Sequence, residues 1–358
     1  MATVVSASAV RSLPSAGSPG AVVLSGSQAI QVGSVLATSV GPNSPEGFLG
    51  KVVSVTPRAD QTVVNTVPTT LQSAVPEGSF KLSKAMRVGP NGVAGLPGRG
   101  GLAATSASAW PGRRPLAHAV GDGGSFDQAL SEALSCGAGA TFSVTGSVGL
   151  SATPDLRISW TKSGITVLFI ETMTASASLS GTVSGSASCT LTRTAVLAEP
   201  APLGTFTVEV LGVPVVVTLE GQIYLDGEAE TQGSVSAGIS GELSASGGLA
   251  YAGGRVRVIS PEVSLNLSRQ GPNVQANASL GAHVTPVLEV LLYGVGGPVF
   301  EARTGLDLKA NTTQDPWWTL TAPLNVTAAL TVPLLKISTP TLALYGQTFT
   351  IATAGGPF

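Results

Sequence analysis

Thr172-Met-Thr-Ala-Ser-Ala-Ser-Leu-Ser-Gly-Thr-Val-Ser-Gly-Ser-Ala-Ser-Cys-Thr-Leu-Thr-Arg-Thr194 carries Ser or Thr at every second residue, twelve times without a miss. The positions between them are small or apolar from Met173 to Leu191, and Arg193 is the exception. Successive side chains of a strand point to opposite faces, so the run has one hydroxyl face and one packing face. As one strand, its 23 residues would span roughly 75 Å at about 3.3 Å per residue, whereas ordinary strands run about 3–10 residues. A two-residue hairpin would exchange the roles of odd and even positions, and no exchange occurs. The pattern therefore predicts one continuous strand, bent at Gly181 or Gly185, or two strands joined by a loop of odd length.

A second long alternation covers residues 213–245. Val215, Val217, Leu219, Ile223, Leu225, Val235 and Leu243 lie on one face, and Glu220, Gln222, Tyr224, Asp226, Glu228 and Glu230 on the other. It is too long for one strand and is expected to turn near Gly227 or Gly233. Alternating segments continue to residue 351, with a tight turn expected at Gly271-Pro272-Asn273. About eight to ten strands with one buried face fit a large antiparallel β-sandwich or barrel over residues 125–358. At its start, Ser125-Phe-Asp-Gln reads as a capping box, Phe126, Leu130 and Leu134 share a helical face and Gly137 follows. One short helix is therefore expected over 125–136.

Residues 1–85 read as a small β-barrel-like domain, with short apolar runs split by Gly, Pro, Asn and Ser. One or two helical turns are expected near residues 69–75. Residues 86–124 form a Gly/Pro/Arg-rich linker without period. Its arginines, Arg87, Arg99, Arg113 and Arg114, make it a docking arm for an acidic neighbour, a processing site at Arg113-Arg114, or a solvated tether. The fold class is thus mostly β, in two domains joined by a linker.

Only 11% of the 358 residues are charged, and 18 Lys and Arg face 20 Asp and Glu. That balance lacks the basic footprint nucleic acid requires. So few charges suit surfaces covered by further copies of the chain. No run of about 18 apolar residues suggests a transmembrane helix, and the first ten residues lack a basic segment followed by an apolar one. Cys136 and Cys189 form a disulfide pair if the compartment is oxidising, or two buried thiols otherwise.

Gly47-Phe-Leu-Gly-Lys-Val52, Val75-Pro-Glu-Gly-Ser-Phe80, Leu292-Tyr-Gly-Val-Gly-Gly-Pro298 and Asp315-Pro-Trp-Trp-Thr-Leu320 flank the Ser/Thr-alternating region. In these short motifs the chain resembles a family of secreted Ser/Thr/Gly-rich β proteins of GC-rich bacteria. The resemblance covers most of the chain outside the linker and implies bacterial origin and export. It carries over no activity and no functional residue.

The motifs of catalysis are missing. His118 and His283 are the only histidines, and no HExxH, CxxC or G-x-S-x-G occurs. A Ser-His-Asp arrangement needs an oriented His, and nothing in the sequence places His283 beside a particular Ser. Asp226, Glu228 and Glu230 lie about 7 Å apart along one strand face with Glu220 nearby. They form a line rather than the cage calcium prefers, and that acidic face also suits the linker arginines. Trp317 falls on the polar side of its strand and could stack on a sugar ring, or pack under a loop.

The hydroxyl face comprises Thr172, Thr174, Ser176, Ser178, Ser180, Thr182, Ser184, Ser186, Ser188, Thr190, Thr192 and Thr194. It could bind ice or carbohydrate, line a lumen, or bury against another copy. A solvated outer face is the plain alternative, but Lys or Glu usually guard such faces and none occurs here. The expectation is a non-enzymatic structural subunit of an extracellular or cell-surface self-assembly, a filament, sheath or surface layer, acting as a homo-oligomer without cofactor. A surface adhesin or carbohydrate-binding protein with a glycan partner is the second reading, and an outer-membrane-type β-barrel the third.

Overall fold

The computed structural model describes residues 2–83, 86–87, 126–136, 140–274 and 277–354. It is a mostly β protein, with three sheets among the described residues. The first sheet comprises β1 (Ala2–Val5), β2 (Val10–Ser12), β3 (Gly20–Ser25), β4 (Val35–Thr38), β5 (Phe48–Pro57) and β6 (Gln61–Val67), in the order β1-β4-β5-β6-β3-β2. Val5 and Val10, from its two end strands, share one core cluster with Leu24, Leu36, Val52 and Val64, so the sheet curls around its own core. One helical turn, α1 (Leu71–Ala74), follows, with the Thr70 hydroxyl accepting from the Ser73 N–H at its start.

Two long sheets then pack face to face. The seven-stranded sheet contains β7 (Gly78–Ser83), β8 (Met86–Arg87), β9 (Phe126–Ser135), β10 (Thr141–Thr161) and β11 (Gly164–Ser184). The chain crosses to the facing sheet for β12 (Ala187–Ala195), β13 (Ala201–Val210) and β14 (Val213–Thr231). It returns for β15 (Val235–Ala252) and β16 (Arg255–Val274). The eight-stranded sheet is then completed by β17 (Ala278–Leu292), β18 (Pro298–Ala310), β19 (Trp318–Val332), β20 (Ile337–Ser338) and β21 (Leu342–Ala354). β7, which precedes residue 85, pairs with β10 and so belongs to this sandwich.

The helix expected over 125–136 is instead β9, paired antiparallel with β10 from Phe126↔Leu150 to Ser135↔Thr141. Leu130 and Leu134 lie four residues apart, a spacing that falls on one face of a helix and equally on one face of a strand. Pairing along β10 gives the segment a ten-residue ladder on one side, and that decided between them. The run 172–194 is likewise two strands rather than one. β11 ends at Ser184, Gly185 takes φ 87°, and β12 pairs with β14 in the other sheet. Odd positions remain inside on both sides of this corner, as buried Val183 and Cys189 show. The hairpin rule applies only to strands that pair with each other. A second corner at residues 232–234 preserves odd parity between Thr231 and Val235. Gly271-Pro272 is an irregularity within β16, not a turn between strands.

Cys136, just beyond β9, is bridged to Cys189 on β12 with Cα atoms 5.5 Å apart, so a disulfide closes one side of the sandwich. At the opposite side the edge strands β16 and β21 pack against each other. Between the sheets lie two core clusters. One includes Trp160, Phe169, Leu219, Leu288, Phe300 and Leu324, the other Phe142, Leu179, Ile223, Val284, Leu306 and Leu320. They divide at the level of Gly221, Gly241 and Pro286, which interrupt the inward-facing apolar series of β14, β15 and β17.

Three of the quoted motifs are explained by this packing. Trp160 donates its indole N–H to the Val75 carbonyl at 2.7 Å and meets Phe80 edge-on at 6.3 Å. Gly47, at φ 66°, approaches Val216 so closely that a Cβ would lie 2.5 Å from it. Gly47 and the Tyr293-Gly294-Val295 turn thus line the two sides of a cleft of about 570 Å³ between the first sheet and the sandwich.

Candidate functional site

Even positions of β14 and odd positions of β17 and β18 face outward from the eight-stranded sheet. That outer face holds a cluster of mutually bonded charged side chains around His283. Asp226 is paired in register with His283, and His283 with Gly305, two residues from both Arg303 and Asp307. The imidazole is buried and held at both nitrogens. Nε2 lies 3.0 Å from Asp307 Oδ1, and Nδ1 lies 3.3 Å from Asp226 Oδ2 and 2.8 Å from Arg303 Nη2. Arg303 also donates from Nε and Nη2 to the two oxygens of Asp226.

The electrostatics follow from these contacts. Burial pulls the His283 pKa down, but hydrogen bonds to Asp226 and Asp307 outweigh it and leave the pKa above the ordinary 6.5. Burial pushes Asp226 up, but hydrogen bonds from His283 and Arg303 prevail and hold it at about 2. In the neutral ring Nε2–H donates to Asp307 and Nδ1 accepts from Arg303, whereas in the protonated ring Nδ1–H donates to Asp226.

A β-bulge in β12 between Leu191 and Thr194 adds a second element. It re-aims Arg193, the residue that broke the Ser/Thr alternation, across the outer face. The Arg193 guanidinium sits 4.2 Å above the Tyr224 ring and donates to both carboxylate oxygens of Glu301 on β18, at 3.3 and 3.5 Å. Residues of β12, the His283 cluster and Pro323 together enclose a groove of about 530 Å³. Next to His283 on the same face, the buried Thr285 hydroxyl has no hydrogen-bond partner among the described residues.

The hydroxyl residues of the sequence divide between two sheets. Thr172, Thr174, Ser176, Ser178, Ser180, Thr182 and Ser184 line the outer face of β11, exposed or half-exposed. Ser186 lies in the corner, and Ser188, Thr190, Thr192 and Thr194 belong to β12. The register extends the β11 array sideways into rows such as Ser147–Ser178–Ser240–Ser268 and Ser151–Thr174–Ser244–Ser264. Hydroxyls pair across strands at Thr141–Ser184 (2.7 Å), Ser147–Ser178 (3.0 Å) and Thr172–Ser246 (3.1 Å).

Trp317 is half-buried against the core and meets Trp318 edge-on at 6.3 Å, so it is no open platform. Glu228 and Glu230 are exposed on the outer face of β14 as the alternation required, while Asp226 is drawn into the His283 cluster. Arg87 belongs to β8, and Arg99, Arg113, Arg114 and His118 lie outside the described residues. No cluster of three or more His, Cys, Asp or Glu side chains able to hold a metal ion occurs among the described residues. No helix among them is long and apolar enough to cross a membrane.

The sequence reading placed His283 on a strand but missed Arg303, Asp307 and the Arg193–Glu301 bridge. Parity along β18 puts Arg303 and Asp307 on one face, a signal available in the sequence. The register that brings them to His283 was not. No family model, curated protein or solved structure matches the chain, so the chemistry of its own surfaces carries the functional argument.

Proposed function

We propose that the chain is a non-enzymatic structural subunit of an extracellular self-assembly such as a filament, sheath or surface layer. The hydroxyl lattice on the outer face of β10, β11 and β15 carries this reading. Across the rows from Thr141 to Thr153, Thr172 to Ser184 and Ser236 to Ser246, Glu242 is the one charged residue. The rows repeat at about 4.8 Å between strands and about 6.7 Å along them. A second copy can match such a regular face hydroxyl to hydroxyl, and almost no charge repels it.

The edges support the same reading. The edge strand β16 carries Arg255, Arg257, Glu262 and Arg269 and is interrupted by Pro261 and Pro272, features that discourage pairing. The edge strand β21 has thirteen residues without a charge or proline, none of them buried. The disulfide suits an oxidising compartment. Arg87, Arg99, Arg113 and Arg114 would serve as a docking arm toward exposed acidic groups such as Glu228 and Glu230 of a neighbouring copy. Polar outer faces over an apolar interior favour this role over a lipid-facing barrel, whose outside is apolar.

Negative-stain imaging and mass photometry of the purified chain test the proposal. Ordered oligomers are expected to grow with concentration. Ser178→Lys combined with Ser240→Lys, or Thr348→Lys on β21, is expected to dissolve them. A wild-type chain that stays monomeric across concentration and ionic strength refutes the assembly role.

A further inference from the structure

We infer that the groove between β12 and the His283 cluster is a binding site for a neutral, hydroxyl-rich ligand, a pyranose unit of a glycan. The inference does not rest on the assembly reading, whose hydroxyl lattice lies on the opposite sheet. It rests on four observations.

The first is shape. At about 530 Å³ the groove falls within the roughly 300–1,000 Å³ typical of small-molecule sites. The second is preorganisation. His283 is 6% exposed and anchored at both ring nitrogens, and Asp226 and Arg303 lock each other, so little side-chain freedom remains to be lost on binding. The third is the alternation of donors and acceptors. Asp226, Arg303, His283 and Asp307 set carboxylate and guanidinium groups side by side along the floor, with Thr190 and Thr192 on the β12 wall. A sugar hydroxyl donates and accepts at once, so adjacent hydroxyls of one ring can bridge such neighbours. Leu191 and Pro323 supply apolar surface for the ring's C–H groups.

The fourth is charge. Arg303 is matched by Asp226 and Arg193 by Glu301, while Glu228 and Asp307 add negative charge. An anionic ligand meets no free cation in this groove among the described residues. No set of carboxylates converges to hold a metal among the described residues. A neutral polyol loses nothing to either condition.

The test is an array of N-acetylglucosamine, mannose, galactose and glucose oligomers, followed by NMR titration with the strongest binder. A subset is expected to bind, and Asp307→Asn to weaken it at least tenfold. Glu228→Gln, an exposed change that spares the anchored cluster, is expected to shift specificity or affinity several-fold with an unchanged circular dichroism spectrum. Thr182→Val, on the opposite sheet, is expected to leave binding unchanged. The assignment is overturned if no sugar binds the folded chain. It is equally overturned if binding responds to Trp317→Ala or Thr182→Val but not to Asp307→Asn and Glu228→Gln. Assembly, read by mass photometry on Asp307→Asn, a residue outside the hydroxyl lattice and the proposed arm contacts, is expected to be unaffected, which separates failure here from failure of the structural role.

Discussion

Glu171 Oε1 accepts the backbone N–H of Thr153 at 3.0 Å in the interior between the two long sheets. Glu171 is fully buried, and its Oε2 has no hydrogen-bond partner among the described residues. Its row is irregular across four strands. Pro154 on β10 and Gly247 on β15 lie opposite Glu171, and a Cβ on Gly247 would meet Pro261 of β16. Burial raises the Glu171 pKa well above 4.5, outweighing the Thr153 hydrogen bond.

The carboxyl is therefore protonated in the fold and ionised in the unfolded chain over the pH range between the two pKa values. Stability linked to it is complete below about 4.5 and falls as pH rises toward the folded value, with a slope of about 1.4 kcal/mol per pH unit. Urea unfolding of the wild type against Glu171→Gln measures this. The variant keeps the acceptor for Thr153 and is expected to lose that part of the slope. Identical slopes in the two chains would contradict the assignment.

His283 titrates above 6.5 because the carboxylates outweigh burial. Its contribution to stability is present below pH 6.5 and is lost as pH rises through the folded value. Asp226, held at about 2, contributes above pH 3.8 and loses its contribution as pH falls through about 2. With His118 replaced by Gln, His283 is the remaining histidine, and NMR of its ring reports the midpoint directly. A midpoint above 6.5 is expected, moving down in Asp226→Asn. A midpoint at or below 6.5 would contradict the geometry.

Glu220 and Glu289 stand directly opposite each other on β14 and β17, half-buried. Burial raises both pKa values, and Glu46 and Glu289 raise Glu220 further. Stability linked to the pair is full below about 4.5 and declines as pH rises. Glu289→Lys replaces a like-charge pair with an opposite one, and a gain of about 0.5 kcal/mol at neutral pH is expected. Thermal unfolding of the variant at pH 7 and pH 4 should show the gain at the higher pH alone.

The Cys136–Cys189 bridge spans 53 residues. Closing a loop of that length stabilises the fold by about 4 kcal/mol in the chain-entropy account. Cys136→Ser with Cys189→Ser is expected to lower the denaturation midpoint by a corresponding amount, and dithiothreitol to reproduce the loss in the wild type. A reductant without effect would mean that the two thiols are not bridged in solution.

Much of the fold was legible because alternation is a local property. Odd positions from Met173 to Cys189, and from Val215 to Leu243, face the core wherever the structure describes them, apart from half-buried Ala177, Gly233 and Gly241 and exposed Gly185. The segment 125–136 was misread because a four-residue repeat of Phe126, Leu130 and Leu134 satisfies strand and helix alike. His283 illustrates a different limit. Its face was readable, but its partners lie 57 residues before it and 20 and 24 residues after it on other strands, and only the register decides which of many polar groups it meets.

By itself the sequence determined that the chain is mostly strand, which side of each long strand carries hydroxyls, and that those hydroxyls go almost unguarded by charge. Side-chain direction depends only on the two-residue pleat, so it needs no knowledge of the partner. The tertiary structure alone decided that the Ser/Thr run breaks at Gly185 into two sheets, that serines of four strands align in rows, and that a bulge turns Arg193 onto Glu301. Those outcomes depend on which distant strands pair and in which register, and pairing is settled by burying both apolar faces at once. No local pattern records that choice.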